Sequence, residues 1–270
     1  MKPRTPEYHG TPDQQALQRR AAALWSLVRD DPRFGSHGRA VSIEHHIAGH
    51  LDLQMSLARL QGVSACEAVP TSATANHIAQ LKAAGFKTDQ FENWRSEPDA
   101  LDAARKVQND RLLPADLELV HVDNNTPPDV MAALDRLTQS CGVLLPNGAF
   151  MRGQERPAVC LFARDRQGKP VSATAAVEMF RPGHPHHAQS WWGMLATSPQ
   201  RRGEGLALIM GAQSMLAMHK KFGTAQFFTG IRQGNAASQN LCSKLGFSPS
   251  GETVVIAIDP AGFSGDRITT

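Results

Sequence analysis

Leu195-Ala-Thr-Ser-Pro-Gln-Arg-Arg-Gly-Glu-Gly-Leu-Ala-Leu-Ile209 reads as a strand that runs through a glycine-bearing turn into a helix. Inside it, Arg202-Gly203-Glu204-Gly205-Leu206-Ala207 puts two glycines where the chain changes direction and a helix begins. Glycine permits positive φ and lets a ligand approach bare backbone. The first helical turn leaves N–H groups unpaired at the positive end of the helix dipole, so this corner suits a phosphate or pyrophosphate. Arg201 and Arg202 add cationic donors there. An ordinary strand-turn-helix corner carries the same local pattern, so the spacing has to be read together with the rest of the chain.

The spacing Arg-x-x-Gly-x-Ala, formed by Arg202, Gly205 and Ala207 directly after an apolar segment with Pro199, resembles the coenzyme A loop of the GNAT superfamily of N-acetyltransferases. Downstream, Asn235-Ala-Ala-Ser-Gln-Asn-Leu-Cys-Ser-Lys-Leu-Gly-Phe247 is similar to that family's next helix, with its terminal Lys-x-Gly-Phe. The resemblance covers about residues 115 to 260, and its specific part is confined to 195 to 247. It implies an α/β fold with a mixed, mostly antiparallel central sheet flanked by helices. It also implies acetyl-coenzyme A as co-substrate, held by the backbone of Arg202, Gly203, Glu204, Gly205, Leu206 and Ala207. Leu195, Ala196 and Thr197 on the preceding strand would bond the pantetheine arm, with Asn235 or Ser238 on the far side.

Composition bounds the rest. With 270 residues, 41% of them hydrophobic and 20% charged, the chain can bury a substantial core and shows no sign of wholesale disorder. The 28 basic residues nearly balance 25 acidic ones, with no dense basic stripe, so no nucleic-acid partner is expected. Cys66, Cys141, Cys160 and Cys242 form no Cys-x-x-Cys pair, which argues against a zinc ribbon or a disulfide framework. The lead Met1-Lys-Pro-Arg-Thr-Pro-Glu-Tyr-His-Gly10 lacks a signal-peptide core, and no segment is long and apolar enough to span a bilayer. A cytoplasmic protein without a membrane partner is expected, with a homodimer among the assemblies open to it.

Along the chain, helices are predicted over 14–29, 52–60 and 75–84, and a strand over 40–47. Ser96-Glu-Pro-Asp99 has the form of a capping box opening a further helix. Leu113-Pro114 divides a smaller N-terminal α/β domain, 1–113, from an acetyltransferase domain, 114–270. The later half reads as strand, helix, three strands, helix, strand, helix and strand, the order of the resembled fold. Leu81-Lys-Ala-Ala-Gly-Phe86 echoes Ser243-Lys-Leu-Gly-Phe247, and two readings stand: a decayed internal duplication, or Gly-Phe marking two unrelated helix ends. The first half has no Arg-x-x-Gly-x-Gly/Ala loop, so it should not hold coenzyme A.

Acyl transfer from a thioester to an amine needs a held cofactor, a stabilised oxyanion, an uncharged amine and a proton for the departing thiolate. The resembled family commonly places a tyrosine five residues before the Gly-Phe phenylalanine, where this chain has Cys242, and Tyr8 is the chain's single tyrosine. Cys242 is therefore a candidate acid beside water, and equally a small buried hydrophobe. Where many relatives carry a strand glutamate, Trp192-Gly193 stands, which leaves Glu178 as candidate base or as an exposed strand carboxylate. His184, His186 and His187 lie in a loop, and imidazole is the side chain whose ordinary range falls near neutrality. Metal binding there, or at His46 and His50, needs further ligands that the sequence does not place, so no metal is expected. Trp191 and Trp192 should face opposite sides of a strand, one of them toward a pocket for an apolar or cationic acceptor.

These readings converge on an acyl-coenzyme A-dependent N-acetyltransferase acting on a small-molecule or protein amine by direct attack in a ternary complex. A non-catalytic acyl-coenzyme A-binding regulatory protein is the alternative. A nucleotide-binding domain is a third, without a Walker loop or dinucleotide fingerprint in its favour.

Overall fold

The computed structural model describes residues 5–269; residues 1–4 of the polar lead lie outside them. The elements in order are α1 (Pro12–Val28), β1 (Phe34–Ser36), β2 (Val41–Glu44), α2 (His50–Gln61), β3 (Val63–Pro70), α3 (Thr71–Ala83), β4 (Lys87–Ser96) and α4 (Ala100–Asp110). There follow β5 (Glu118–His121), α5 (Pro128–Ser140), α6 (Gly148–Met151), β6 (Ala158–Arg164), β7 (Pro170–Glu178), β8 (Gln189–Thr197), α7 (Leu206–Phe222), β9 (Gln226–Ile231), α8 (Ala236–Lys244) and β10 (Phe247–Ile258).

All ten strands form one sheet, in the order β1-β2-β3-β10-β4-β9-β8-β7-β6-β5. The pairs β2·β3 and β8·β9 are parallel and the rest antiparallel. Each parallel pair is joined by a helix, as such crossovers require. The expected mixed, mostly antiparallel sheet is what forms.

The order is palindromic about the β10·β4 seam. Strands β1, β2, β3 and β10 on one side answer to β7, β8, β9 and β4 on the other. Each half thus lends its last strand to the other: β10 lies between β3 and β4, paired with both over most of its length. The Gly-Phe echo falls on this exchange. Gly85 and Gly246 both end a helix at φ +88° and +74°, and Phe86 and Phe247 are both buried at the entry to the exchanged strands.

Alternation divides the sheet into two faces. On one, Phe227, Trp94 and Trp192 pack with α4, α7 and α8; on the other, Trp191 and Val177 pack with α5 and α6, and Ile256 with Leu17 of α1 and Phe263. Helix α7 is apolar on most sides and is buried accordingly, through Leu206, Ile209, Met210, Met215 and Met218. Trp192 is fully buried against it, donating from Nε1 to Ser214 Oγ at 2.9 Å, and Gly211 leaves the room its ring needs.

Several boundaries differ from the sequence reading. The strand predicted over 40–47 spans only Val41–Glu44, because the chain turns at His45 toward α2. Strand β3, a nearly continuous apolar run behind a helix, has no sequence counterpart in the expectation. The capping box at Ser96–Asp99 does not form: Asp99 stands at the N-cap of α4 with no side-chain cap bond.

Candidate active site

Strands β8 and β9 pair only over Gln189↔Gln226, Ser190↔Phe227 and Trp191↔Phe228, and then part. Strand β8 stays with β7, helped by a bulge at Met194, where φ is +57° and the register slips between Ala173 and Ala175. Strand β9 turns to β4 instead. The backbone of Trp192 to Leu195 is thereby opened along a cleft whose far wall is Thr229 to Ile231, with Ser238 and Cys242 of α8 behind it.

Between the end of β8 and α7 the glycine turn has the conformation the sequence requires. Gly203 and Gly205 take φ +86° and +76°, and Gly205 is the N-cap of α7 with no side-chain cap bond. The first N–H groups of α7 are left for a ligand. A Cβ on Gly205 would meet Arg111 Nη1 at 3.3 Å, so the end of α4 delivers a guanidinium that the sequence reading missed. Arg201, expected as a free cation, is instead committed to Asp116 at 2.8 Å and Glu204 at 2.6 Å; Arg202 is exposed.

The predicted pantetheine residues fall around the cleft in different ways. Leu195 lines it; Ala196 pairs with Ala173; Thr197 shares a hydroxyl hydrogen bond with Ser172 at 3.0 Å. Asn235 caps α8, its Oδ1 accepting from Ser238 N at 3.1 Å, and Ser238 faces the cleft.

The cleft continues across the sheet into a trough lined by residues of the N-terminal half, among them His37, Arg39, Ser42, Glu67 and Asp89, the whole cavity measuring about 240 Å3. Trp191 forms its aromatic wall, stacked on His37 at 4.3 Å, with the Arg39 guanidinium 5.1 Å from its ring centre. Burial holds His37 well below the usual imidazole range and brings Arg39 down to about 9. Asp89 is neutralised by Arg232 at 2.6 Å.

Glu67 is a buried acid on the trough that the sequence reading did not find. It is 6% exposed, and burial, with the nearby Glu44 charge, lifts its carboxyl to about 8 against a partial offset from Arg95. A carboxyl titrating there can take a proton from an ammonium group near neutral pH. Its only local signal is a lone acid inside Val63-Ser-Ala-Cys-Glu-Ala-Val69.

The structure does not bring Glu178 to this site. It lies on the α7 face of β7, accepting from Thr224 Oγ1 at 3.4 Å beside the C-terminal end of α7, whereas the glycine turn is at that helix's N-terminal end. Cys242 does line the cleft, but burial pushes its thiol to about 12, which makes it a weaker acid than water-exposed thiols. Among the other histidines, His186 donates to Glu44 at 2.7 Å and the His187 ring bonds His184 O.

No family model and no curated protein matches the sequence. Solved structures do match in three dimensions. A tandem GNAT protein from the clavulanic acid biosynthesis pathway superposes with a TM-score of 0.51 at 17% identity, covering 78% of this chain and 67% of its own. A GCN5-related N-acetyltransferase from Kribbella flavida gives 0.51 at 13% identity, covering 90% and 95%. A GCN5-related N-acetyltransferase-like protein from Streptococcus suis gives 0.52 at 15%, covering 83% and 81%.

The chain has the GNAT fold. In GNAT terms, the parting strands β8 and β9 and helix α8, parts the sequence resemblance singled out, line one cleft, and the turn before α7 follows from the end of β8. Because the similar structures are matched over most of this chain, the N-terminal half belongs to the shared fold as well. Among the described residues, no helix is long and apolar enough to cross a membrane.

Proposed function

We propose that the protein is an acyl-coenzyme A-dependent N-acyltransferase, with acetyl-coenzyme A as donor and a primary amine as acceptor. The observation that carries this reading is the continuity of the cleft opened between β8 and β9 with a trough that holds a carboxyl raised to about 8, beside a β8–α7 turn whose first N–H groups are uncapped.

The turn from Arg202 to Ala207, with Arg111, takes the pyrophosphate; the Trp192–Leu195 edge of β8 bonds the pantetheine arm and the thioester carbonyl. The amine lies in the trough against Trp191. Glu67 removes the ammonium proton, the nitrogen attacks the carbonyl carbon, and the tetrahedral intermediate gives up a second nitrogen proton as it expels the thiolate of coenzyme A. The proton released by the nitrogen reaches that thiolate through solvent, and Cys242, whose thiol burial raises to about 12, is not needed as the donor. The N-terminal half, a second copy of the fold without a coenzyme A loop, supplies the acceptor side. A purely regulatory acyl-coenzyme A binder has no need of a buried acid at that place, so Glu67 favours the enzyme.

Release of free thiol from acetyl-coenzyme A, followed across a panel of small amines, amino acids and peptides, tests the reading. Amine-dependent release that Glu67→Gln abolishes supports it; tight binding without release on any amine supports the regulatory alternative.

A further inference from the structure

His45, His50 and His77 each offer one ring nitrogen, and the three nitrogens lie within 4.8 Å of one another. His45 follows the end of β2, His50 opens α2 and His77 is buried on α3. Ring centres are 4.3 Å apart for His45 and His50, and 5.4 Å for His50 and His77. Tetrahedral zinc, with Zn–N bonds of about 2.0–2.1 Å, needs ligand nitrogens about 3.3 Å apart, which small ring rotations reach.

The tautomer of His77 is fixed from outside. Gln54 donates its amide to Ser64 O at 3.2 Å and Val255 O at 2.8 Å, so its Oε1 must accept from His77 Nε2, at 2.6 Å. Nδ1 of His77 then carries the free lone pair. An imidazole oriented by an outer amide in this way is the usual state of a metal-ligating histidine. No carboxylate is paired with any of the three rings among the described residues, so ion pairing does not account for three adjacent bases.

The neighbouring cluster of Glu44, His184 and His186 is different. His186 donates to Glu44 at 2.7 Å, and His184 Nδ1 accepts from His186 N at 3.0 Å, which puts the His184 proton on Nε2, the nitrogen nearest Glu44. That cluster is already an ion-pair network and presents a protonated nitrogen where a ligand would need a lone pair.

The palindromic sheet adds a second, independent pointer. Gly49 caps α2 at φ +70° without a side-chain bond, as Gly205 caps α7 at +76°. Counting back eight residues from Gly85 and from Gly246 reaches His77 and Ser238. The three histidines thus occupy, in the N-terminal half, the ground that the cofactor cleft occupies in the other.

We propose that His45, His50 and His77 bind a divalent transition-metal ion, zinc foremost, in a three-nitrogen site that the N-terminal half has built where its twin holds coenzyme A. Three neutral ligands leave a fourth position for water or an anion, and the ion would tie the β2–α2 turn to α3.

The test is titration of Co2+ into the untagged, chelator-treated full chain, followed by visible absorption, with Zn2+ competition by calorimetry. One equivalent of Co2+ should develop the intense bands of a low-coordinate site and be displaced by Zn2+. His50→Ala, at a part-exposed position, and His45→Ala should each weaken binding beyond the ~10–100-fold typical of losing an outer partner. His186→Ala should leave it unchanged, and circular dichroism confirms that each variant is folded. Failure of the folded wild type to develop the bands overturns the proposal, as does binding that survives in folded His50→Ala or is lost in His186→Ala.

Discussion

Glu44 and Glu67 are Cα partners across the parallel pairing of β2 and β3, yet their carboxyls are driven in opposite directions. Burial works to raise Glu44, but the His186 hydrogen bond and the charges of His186, His184 and His46 outweigh it and hold the group below its usual range. Glu67 has no such partner: burial and the Glu44 charge lift it to about 8. Adjacent acids pushed apart in this way divide the work of a site, one staying ionised and the other exchanging protons near neutrality.

The first prediction concerns pH. Glu67 is neutral in the folded protein and ionised in the unfolded chain between its ordinary value of 4.5 and about 8. Its contribution is fully present below 4.5 and is lost as pH rises toward 8, on the order of 5 kcal/mol across the window. Urea unfolding of Glu67→Gln should show a flatter dependence over that range. In the same variant kcat/KM should fall by ~10²–10⁴ and lose its rise toward pH 8; a wild-type slope retained by the variant would remove Glu67 from the mechanism.

The aromatic wall gives a second prediction. Trp191→Leu keeps bulk but removes the face that His37 and Arg39 stack upon, so KM for a cationic acceptor should rise about 3–10-fold. Affinity for acetyl-coenzyme A, measured separately, should stay the same.

Beside the glycine turn, Arg111→Ala should weaken coenzyme A and dephospho-coenzyme A alike, about tenfold, and truncated pantetheine donors that lack the pyrophosphate much less. Equal losses for all donors would place Arg111 outside the phosphate site.

Stability away from the site should depend on Arg152, which is 1% exposed and bonds Glu7 at 2.8 Å together with the carbonyls of Asp123 and Thr126. Arg152→Met leaves these groups unpaired and should cost about 3–5 kcal/mol by denaturant unfolding.

The C-terminal cleft was legible because its signals are local. Two glycines at positive φ, the Asn235 cap and the apolar periodicity of α7 are each written within one turn of the chain. The insertion of β10 between β3 and β4 was not, because strand partners are chosen across more than a hundred residues and only the Gly-Phe echo hinted at them. Glu67 escaped for the same reason: its sequence neighbours are apolar, and what lifts its carboxyl is burial beneath distant strands and the charge of Glu44. Glu178 illustrates the converse, since alternation put it correctly on the Thr174 face but could not tell which end of α7 that face meets.

Calorimetric titration of acetyl-coenzyme A into the wild type and into Gly205→Glu tests the central claim most directly. The substitution puts a charged side chain at a φ of +76° where pyrophosphate requires bare backbone. Saturable one-to-one binding by the wild type, lost in a folded Gly205→Glu, is the predicted result. No binding by the folded wild type, or equal binding by both, would contradict a coenzyme A site at the start of α7.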